Sequence, residues 1–242
     1  MLNLNNVSAV SAEQELLTNI TLTVNANELI TILGPVDSGK SSLAQLIAGY
    51  PRIIQTEGKI TFNKKNIDKL DAQERNKLGI FVSFQNPPSI DGISNLDLVK
   101  QTLKNANDPR TSNEIEHEYK SFSVLLGLGI NHKSKSINGI GSSPSEHKKN
   151  ELLQMLMQNP QLAILDGIDD DLDVDDENIV AAVINSYSKQ PNKACILLTN
   201  NLVFLDKIKS TTMYILIDGI IKTHGDAQLH KRIVDDDYTQ FL

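Results

Sequence analysis

The clearest chemical signal in the 242-residue chain is a short glycine-rich segment that starts at Gly34. Its sequence, GPVDSGKS, ends at Ser41 and fits the pattern G-x-x-x-x-G-K-S/T between an apolar strand and a helical pattern. Glycine lets the backbone wrap a phosphate closely, so amide groups and the positive end of the helix face the anion. We expect the Lys40 ammonium to reach the β- and γ-phosphates of a nucleotide and the Ser41 hydroxyl to bind Mg²⁺.

A carboxylate ends a second apolar strand. The run Leu-Ala-Ile-Leu precedes Asp166, which lies 166 − 40 = 126 residues after Lys40. In a fold with this phosphate loop, such an aspartate sits beside the Mg²⁺ that the Ser41 hydroxyl binds. A strand that ends in aspartate is by itself usually only a turn, so this prediction depends on the phosphate loop.

The elements that must position these residues follow from the apolar runs. Short runs rich in Ile, Leu and Val are typical of strands buried on both faces of a parallel sheet. Helical patterns follow several of them, which predicts an α/β doubly wound domain of the P-loop type. Alternating runs at 2–7, 17–24 and 58–62 predict an antiparallel β-layer beside it. The buried strands are predicted at 29–33, 80–84, 162–165, 194–199 and 213–217, and the helices at 41–48, 145–158 and 178–188.

Residues 86–150 have a different composition. This stretch is polar, has helical patterns at 95–104 and 113–126, and shows no convincing buried strand. We interpret it as a helical subdomain inserted between two strands of the sheet. The chain is then one domain, 1–242, whose core consists of 1–85 and 151–242.

Composition limits the function classes. Lys and Arg number 23 and Asp and Glu 30, a net charge of −7, which is not the footprint of a nucleic-acid-binding protein. One cysteine, Cys195, excludes an intramolecular disulfide and a zinc site of several cysteines. No apolar run approaches the ~18 residues of a membrane span, and no signal peptide is evident. We expect a globular protein of the cytoplasm, or of an organelle stroma if it is encoded there.

Several segments together resemble the ATP-binding-cassette ATPases over nearly the whole chain. They are ILGPVDSGKSSLAQLIAG, GKITFNKKNI, LAILD and ILIDGIIKTHGD. Two more segments, GIFVSFQNPPSIDGISN and EHKKNELLQM, are similar within that family to the SufC-type ATPases of iron–sulfur cluster assembly. The first group is common to many cassettes, whereas the last two indicate the subfamily.

The resemblance implies that the chain binds ATP and Mg²⁺ and works as an ATP-dependent dimer, each nucleotide lying between two subunits. Gln85 would approach Mg²⁺ and couple the nucleotide to a partner, and residues 86–150 would dock on SufB- or SufD-like scaffold proteins. In the signature segment, Ser143 and Glu146 would face the other subunit's nucleotide. The implied nucleotide-binding residues are Gly34, Pro35, Asp37, Ser38, Gly39, Lys40, Ser41, Ser42 and Gln85, and the implied Mg²⁺ residues are Ser41, Gln85 and Asp166.

The chain departs from the family's pattern at its catalytic positions. Gly167 stands where a catalytic glutamate follows the aspartate, and Asn200 stands where a switch histidine follows Thr199. Pro144 and Ser145 replace the two glycines of the signature. Because glycine cannot polarise water, and loss of a positioned base typically costs ~10²–10⁴ in rate, we expect hydrolysis to be weak or lost.

Further departures concern the dimer and the base of the nucleotide. Proline offers no amide to a γ-phosphate, and loss of one such donor costs roughly 2.7–4 kcal/mol. Asp170 and Asp171 replace the Ser-Gly of the loop that follows Asp166, which adds negative charge near a partner's phosphates. No aromatic residue precedes Tyr50 to stack on adenine. No pairing of this chain, with itself or with an intact partner, restores a complete site.

Three other functions stay open. The chain could be an active ATPase of the same pathway, with a displaced carboxylate such as Asp169 as the base. It could also be the nucleotide-binding subunit of a membrane transporter, or a binding module that no longer holds nucleotide.

The remaining features have simpler interpretations. The acidic run at 169–177 is also typical of a solvated helix start, where carboxylates suit the positive helix end. Cys195 is predicted to be a buried core residue. The histidines (His117, His132, His147, His224, His230) are interpreted as surface or capping residues, and Lys133, Lys135, Lys148 and Lys149 as a solvated face.

Overall fold

A computed structural model describes residues 1–12, 14–139, 141–226, 229–236 and 238–241. The strands are β1 (Leu2–Ser11), β2 (Gln14–Val24), β3 (Leu29–Leu33), β4 (Ile54–Phe62), β5 (Lys65–Asn66), β6 (Ile80–Ser83), β7 (Ile90–Ser94), β8 (Ser136–Ile137), β9 (Leu162–Asp166), β10 (Ala194–Thr199), β11 (Thr212–Ile217) and β12 (Ile220–Gly225). The α-helices are α1 (Lys40–Ala48), α2 (Ala72–Lys77), α3 (Asn95–Asn105), α4 (Ser112–Leu125), α5 (Pro144–Gln158), α6 (Val174–Ser188), α7 (Leu202–Leu205) and α8 (Leu229–Asp236). Short 3-10 helices lie at Ile130–Ser134 and Tyr238–Phe241.

The central sheet is mostly parallel, with strand order β12-β11-β3-β10-β9-β6. Strands β3, β9 and β10 are buried along their whole length, because helices and the second sheet cover both faces. Leu33 pairs with Thr199, and Leu198 pairs with Asp166, so the carboxyl ends of these strands meet at one edge. The predicted α/β doubly wound architecture is therefore confirmed, and the sheet brings the candidate residues to that edge.

The second sheet is antiparallel, with order β2-β1-β4-β5, which confirms the predicted β-layer. Helix α1 lies between the two sheets, and its apolar face joins their side chains in one buried cluster. Strand β4 starts at Ile54, four residues earlier than predicted, and its pairing with β1 is irregular at Gly58, where two residues of β1, Asn6 and Val7, lie opposite this one residue of β4. A Cβ on Gly58, at φ +78°, would lie 2.6 Å from the Asn5 carbonyl oxygen.

Helices α3, α4 and α5, which lie between β6 and β9 in the sequence, pack on one another. Their contact surrounds buried side chains such as Leu103, Ile115 and Tyr119. The sequence predicts the helices here but not the ribbon of β7 and β8. Those strands have five and two residues, too few to show an alternating pattern, and β7 is largely exposed. Among the helices within the described ranges, none is long and apolar enough to cross a membrane.

One histidine differs from its expected place on the surface. His132 is buried, and its Nδ1 lies 2.7 Å from the Tyr119 hydroxyl in a hydrogen bond between the 3-10 helix and α4. Burial lowers the pKa of His132 to about 4. The surface interpretation is therefore wrong for this residue, which holds two helical segments together.

Candidate functional site

A cavity of about 650 Å³ lies where β3, β9 and β10 end. It also borders the first residues of β2, 14–16, and the turn between β11 and β12 at 218–219. Gly34 and Pro35 do not line the cavity, but they adjoin it in the same loop. Of the residues predicted to bind nucleotide or Mg²⁺, it is lined by Asp37, Ser38, Gly39, Lys40, Ser41, Ser42, Gln85 and Asp166.

The loop after β3 is held tightly by neighbouring backbone. Gly39 has φ +100°, and a Cβ there would lie 3.2 Å from the Leu16 carbonyl oxygen and 3.3 Å from Gly219 Cα. At Gly34, a Cβ would overlap the Leu216 carbonyl oxygen. Both positions therefore require glycine, and the chain can turn directly into α1. The N-terminal end of α1 then faces the cavity, which is where an anion is stabilised.

Lys40 is the cation of this loop. Its Nζ donates hydrogen bonds to the carbonyl oxygens of Gly34, at 2.7 Å, and Pro35, at 2.8 Å. Burial lowers the pKa of Lys40, and the nearby carboxylates of Asp166 and Asp170 oppose that effect. The ammonium group is thus fixed at the cavity surface by the loop itself.

Ser41 and Asp166 come together at the floor of the cavity. The Asp166 carboxyl group is almost completely buried, and burial raises its pKa, while a hydrogen bond from the Ser41 hydroxyl and the charge of Lys40 oppose that shift. A hydroxyl beside a carboxylate supplies the hard oxygen ligands that Mg²⁺ prefers. The donor set at this position therefore fits Mg²⁺, next to a loop that fits phosphate.

Comparison with known proteins agrees with this geometry. A family model described as "ABC transporter" matches residues 17–168, which include the loop, Gln85 and Asp166. The chain belongs to the ABC transporter family. A relative from Cyanophora paradoxa, named "Probable ATP-dependent transporter ycf16", is 34% identical over 96% of this chain and 91% of its own length. One from Streptococcus pyogenes serotype M3, named "Probable ABC transporter ATP-binding protein", is 32% identical over 98% and 93%.

Solved structures show the same fold. The ATP-binding cassette MJ0796, determined as a dimer in a post-hydrolysis state with ADP and Pi, matches with a TM-score of 0.82. The match covers 94% of this chain and 99% of that one at 20% identity. The chain is therefore an ABC-type nucleotide-binding domain, α/β with an antiparallel β-subdomain.

Gly167 directly follows Asp166 in this cassette and has φ +54°. A Cβ there would lie 2.5 Å from Asp170 Oδ2 and 2.9 Å from Gln85 Cγ. Gln85 Nε2 in turn donates to Asp170 Oδ2 at 3.1 Å. Asp170 thus lines this chain's own cavity, where the sequence predicted only that it would approach a partner's phosphates.

Lys148 lies beneath these residues and contradicts its predicted place on a solvated face. It is 3% exposed, and its Nζ donates to the carbonyl oxygens of Gln85 and Gly167, each at 2.6 Å. Its Nζ is also 3.8 Å from Asp170 Oδ2. The neighbouring Lys149 is buried as well and pairs with Asp176 at 2.8 Å.

The helical spacing in EHKKNELLQM predicts that both lysines are buried. Lys148 precedes the buried Leu152 by four residues and Lys149 precedes Leu153 by four, so both lie on the apolar face of α5. A buried ammonium group needs hydrogen-bond acceptors. Lys148 has the two backbone carbonyls, and Lys149 has the Asp176 carboxylate.

Asp169, the predicted displaced base, does not line the cavity. It is 3% exposed, and its Oδ2 accepts a hydrogen bond from Thr199 Oγ1. Burial raises the pKa of Asp169 to about 6. Further along the acidic run, Asp173 caps α6 by accepting from the Asp176 amide, so the helix-start interpretation is confirmed for that part.

The signature segment forms the start of α5 rather than part of this cavity. The Ser143 hydroxyl accepts from the Glu146 amide at 3.1 Å, and the Ser143 amide donates to Glu146 Oε2 at 3.1 Å. Lys135 also approaches Glu146, at 3.3 Å. Proline suits the first position of such a capped helix, so Pro144 stabilises the helix start although it lacks an amide donor.

Among the described residues, the cavity lining includes no aromatic side chain that could stack on the base of a nucleotide. Beside the phosphate loop, the cavity is lined by Gln14, Glu15 and Leu16 at the start of β2. Aliphatic and amide groups can cover a purine face, but without the stacking energy of an aromatic pair, about 0.5–1.5 kcal/mol beyond area burial. This agrees with the absence noted in the sequence.

A buried carboxyl group in α5 makes folding pH-dependent. Burial raises the pKa of Glu151 to about 7, which a hydrogen bond from the Phe84 amide and the charge of Lys148 only partly oppose. The folded state then binds a proton more readily than the unfolded chain, so this group's contribution to stability falls as pH rises from about 4.5 to 7. We expect Glu151→Gln to be about 2 kcal/mol more stable than the wild type at pH 8 and nearly equal at pH 4.5.

Urea unfolding at both pH values measures this difference. The exposed Glu57→Gln is the matched control and should change neither value. An equal gain for Glu151→Gln at both pH values would show that ionisation of the Glu151 carboxyl group is not the cause of the gain.

Proposed function

We propose that the chain is a Suf-type iron–sulfur cluster assembly subunit that binds Mg-ATP, docks on a SufB- or SufD-like scaffold and hydrolyses ATP slowly. The observation that carries nucleotide binding is the arrangement of Lys40, Ser41 and Asp166 on one cavity. Lys40 and the start of α1 would hold the phosphates, and Ser41, Asp166 and Gln85 would hold Mg²⁺. The ion would neutralise phosphate charge when bound.

The Suf-type assignment is supported by how the two subfamily segments meet. Asn150 Nδ2 donates to Asn95 Oδ1 at 3.0 Å, and both side chains are buried. The Glu151 carboxylate accepts from the Phe84 amide at 3.4 Å, and Lys148 binds the Gln85 carbonyl. The segments GIFVSFQNPPSIDGISN and EHKKNELLQM therefore act as one unit that links the cavity to the helices beyond it.

A groove beside this unit suits a partner. It has a volume of about 310 Å³ between the central sheet and the helices, and Glu151 is one of its lining residues. Phe84 and Ile90 line it, each 37% exposed. Apolar side chains that remain open on one rim of a cleft are typical of protein interfaces. The groove adjoins Gln85, so a scaffold bound there would sense the nucleotide through the same segment.

Docking is tested with the source's own SufB- and SufD-like proteins. Ile90→Asp should weaken co-elution with the scaffold at least about tenfold, because a charge would enter an apolar contact, while the ATP dissociation constant stays unchanged. Val203→Asp, at an apolar position of α7 that is 69% exposed, is the matched control. If the wild-type protein binds neither scaffold, the Suf assignment is contradicted. The proposal that the chain binds nucleotide is not affected by that result.

Slow hydrolysis is supported by the residues at the two catalytic positions, 167 and 200. Gly167 supplies no carboxylate, and Asn200, which lines the cavity, can donate a hydrogen bond but cannot carry a proton as imidazole does. A dimer that closes on ATP would present Ser143 and Glu146 across the interface, with one amide fewer at Pro144. We place this subunit in the cytoplasm or an organelle stroma.

A second function, the ATP-binding subunit of a membrane transporter, is favoured by the names of the relatives. Both the Cyanophora and the Streptococcus proteins are described as probable transporter components. The same groove would then receive a cytoplasmic segment of a membrane protein. Co-purification from detergent-solubilised membranes, compared with the soluble scaffold, decides between the two.

A further inference from the structure

We propose that Asp170 orients the attacking water in the slow hydrolysis of ATP, in place of a carboxylate at position 167. This inference rests on the proposed function. It names the residue that would position the water in a site that has no carboxylate at 167. It depends on where the Asp170 side chain lies, on what holds it there, and on the separation of its neighbours from the cavity.

The Asp170 carboxylate occupies the space that a side chain at 167 would enter. The Cβ position of Gly167 is 2.5 Å from Asp170 Oδ2, closer than any Cβ is found to an oxygen. The absence of a side chain at 167 is therefore what admits the carboxylate. Asp170 is part of the cavity lining together with Lys40, Ser41 and Asp166.

The carboxylate is held in this position by two groups. Gln85 Nε2 donates to Oδ2 at 3.1 Å, and Lys148 Nζ lies 3.8 Å from the same oxygen. Lys148 is itself fixed by two carbonyl oxygens at 2.6 Å. Oδ1 makes no hydrogen bond to another described residue, and the side chain is 32% exposed, so Oδ1 can accept a hydrogen bond from water.

The neighbouring acids cannot take this role. Asp169 is buried and bonded to Thr199, and it does not line the cavity. Asp171 is exposed and also lies outside the lining. Of the three consecutive aspartates, Asp170 alone combines contact with the cavity and a fixed position.

The step itself needs no other reactant. The oxygen of a water molecule attacks the γ-phosphorus of ATP, and the bond from that phosphorus to the β–γ bridging oxygen breaks. ADP leaves with that electron pair, and one water proton goes to a γ-phosphoryl oxygen, which gives dihydrogen phosphate. Because the transition state is loose, alignment of the water supplies much of the catalysis. Asp170 would align it by accepting its hydrogen bond.

Single-turnover hydrolysis of bound ATP tests the proposal, beside calorimetric ATP affinity and thermal melting. Asp170→Ala should slow hydrolysis about 10²-fold with ATP affinity and melting temperature nearly unchanged. Asp170→Glu should recover part of the rate. Asp175→Asn removes the same charge from an exposed position in the first turn of α6, outside the cavity, and should hydrolyse like the wild type.

A second readout does not depend on turnover. ADP with aluminium fluoride mimics the in-line arrangement of water and phosphoryl group, so Asp170→Ala should bind this complex more weakly than the wild type while it binds ATP equally well. An unchanged rate in Asp170→Ala, or no hydrolysis by the wild type above the buffer rate, would overturn the role of Asp170. ATP binding that Lys40→Ala abolishes would still support nucleotide binding, the first part of the proposed function, in either case.

Discussion

Replacing Lys40 with alanine is expected to abolish Mg-ATP binding to the purified chain. The ammonium is the only lysine or arginine group on the cavity within the described residues, and it stands at the start of α1 where the phosphates would lie. Each hydrogen bond from a charged group contributes about 1.5–3 kcal/mol, and a triphosphate would take more than one. We therefore expect the dissociation constant to rise at least about 100-fold. Titration calorimetry with Mg-ATP measures it.

The control for Lys40→Ala is Lys59→Ala, which removes an equivalent charge from an exposed position in β4 and should bind ATP like the wild type. Equal binding by Lys40→Ala would mean that the loop amides hold the phosphates alone. No binding by any of the three proteins would mean that the loop is a relic, and the proposed function would fail with it.

Lys148→Met is expected to be the most destabilising of the substitutions considered. It removes the ammonium donor from the partly buried carbonyl oxygen of Gln85 and the buried one of Gly167, and a positive charge from beside Asp170. Removing one member of a buried charged network typically costs 3–5 kcal/mol, because the remaining groups stay buried without partners. For a chain of this length, about 3 kcal/mol lowers the melting temperature by roughly 6–12 °C.

Differential scanning calorimetry measures this loss, and Lys149→Met provides a matched comparison. Lys149 is also buried but makes a single ion pair with Asp176, which is itself partly open to solvent. We expect about a third of the effect there. Equal losses for the two variants would show that burial of the lysine stem, rather than the two carbonyl bonds, accounts for the stability.

The sequence predicts the phosphate loop, the buried parallel strands and Asp166 well, because each is local. A glycine pattern, a run of apolar residues and a carboxylate at a strand end are each visible in one short stretch of consecutive residues. Helix α6 starts at Val174, four residues before its predicted start, since its capping aspartate and acidic first turn have no apolar periodicity.

The arrangement around Gly167 could not be predicted in the same way. It depends on Asp170, Gln85 and Lys148, which come from a turn after β9, a loop after β6 and the helix α5. Only the folded chain shows that the aspartate enters the space beside the glycine. For the same reason a charged pair such as Lys148 and Lys149 suggests solvent, although the spacing of α5 places both lysines on its buried face.

The single cysteine has a consequence for sulfur chemistry. Cys195 is completely buried in the middle of the central sheet, and burial raises the pKa of its thiol. A thiol in that state is neither a ligand for iron nor a nucleophile toward sulfide donors or oxidants. The folded chain would therefore offer no cysteine thiolate to a partner that handles iron and sulfur. Cys195 would become reactive only when the central sheet opens, so its modification would report that the whole domain has come apart.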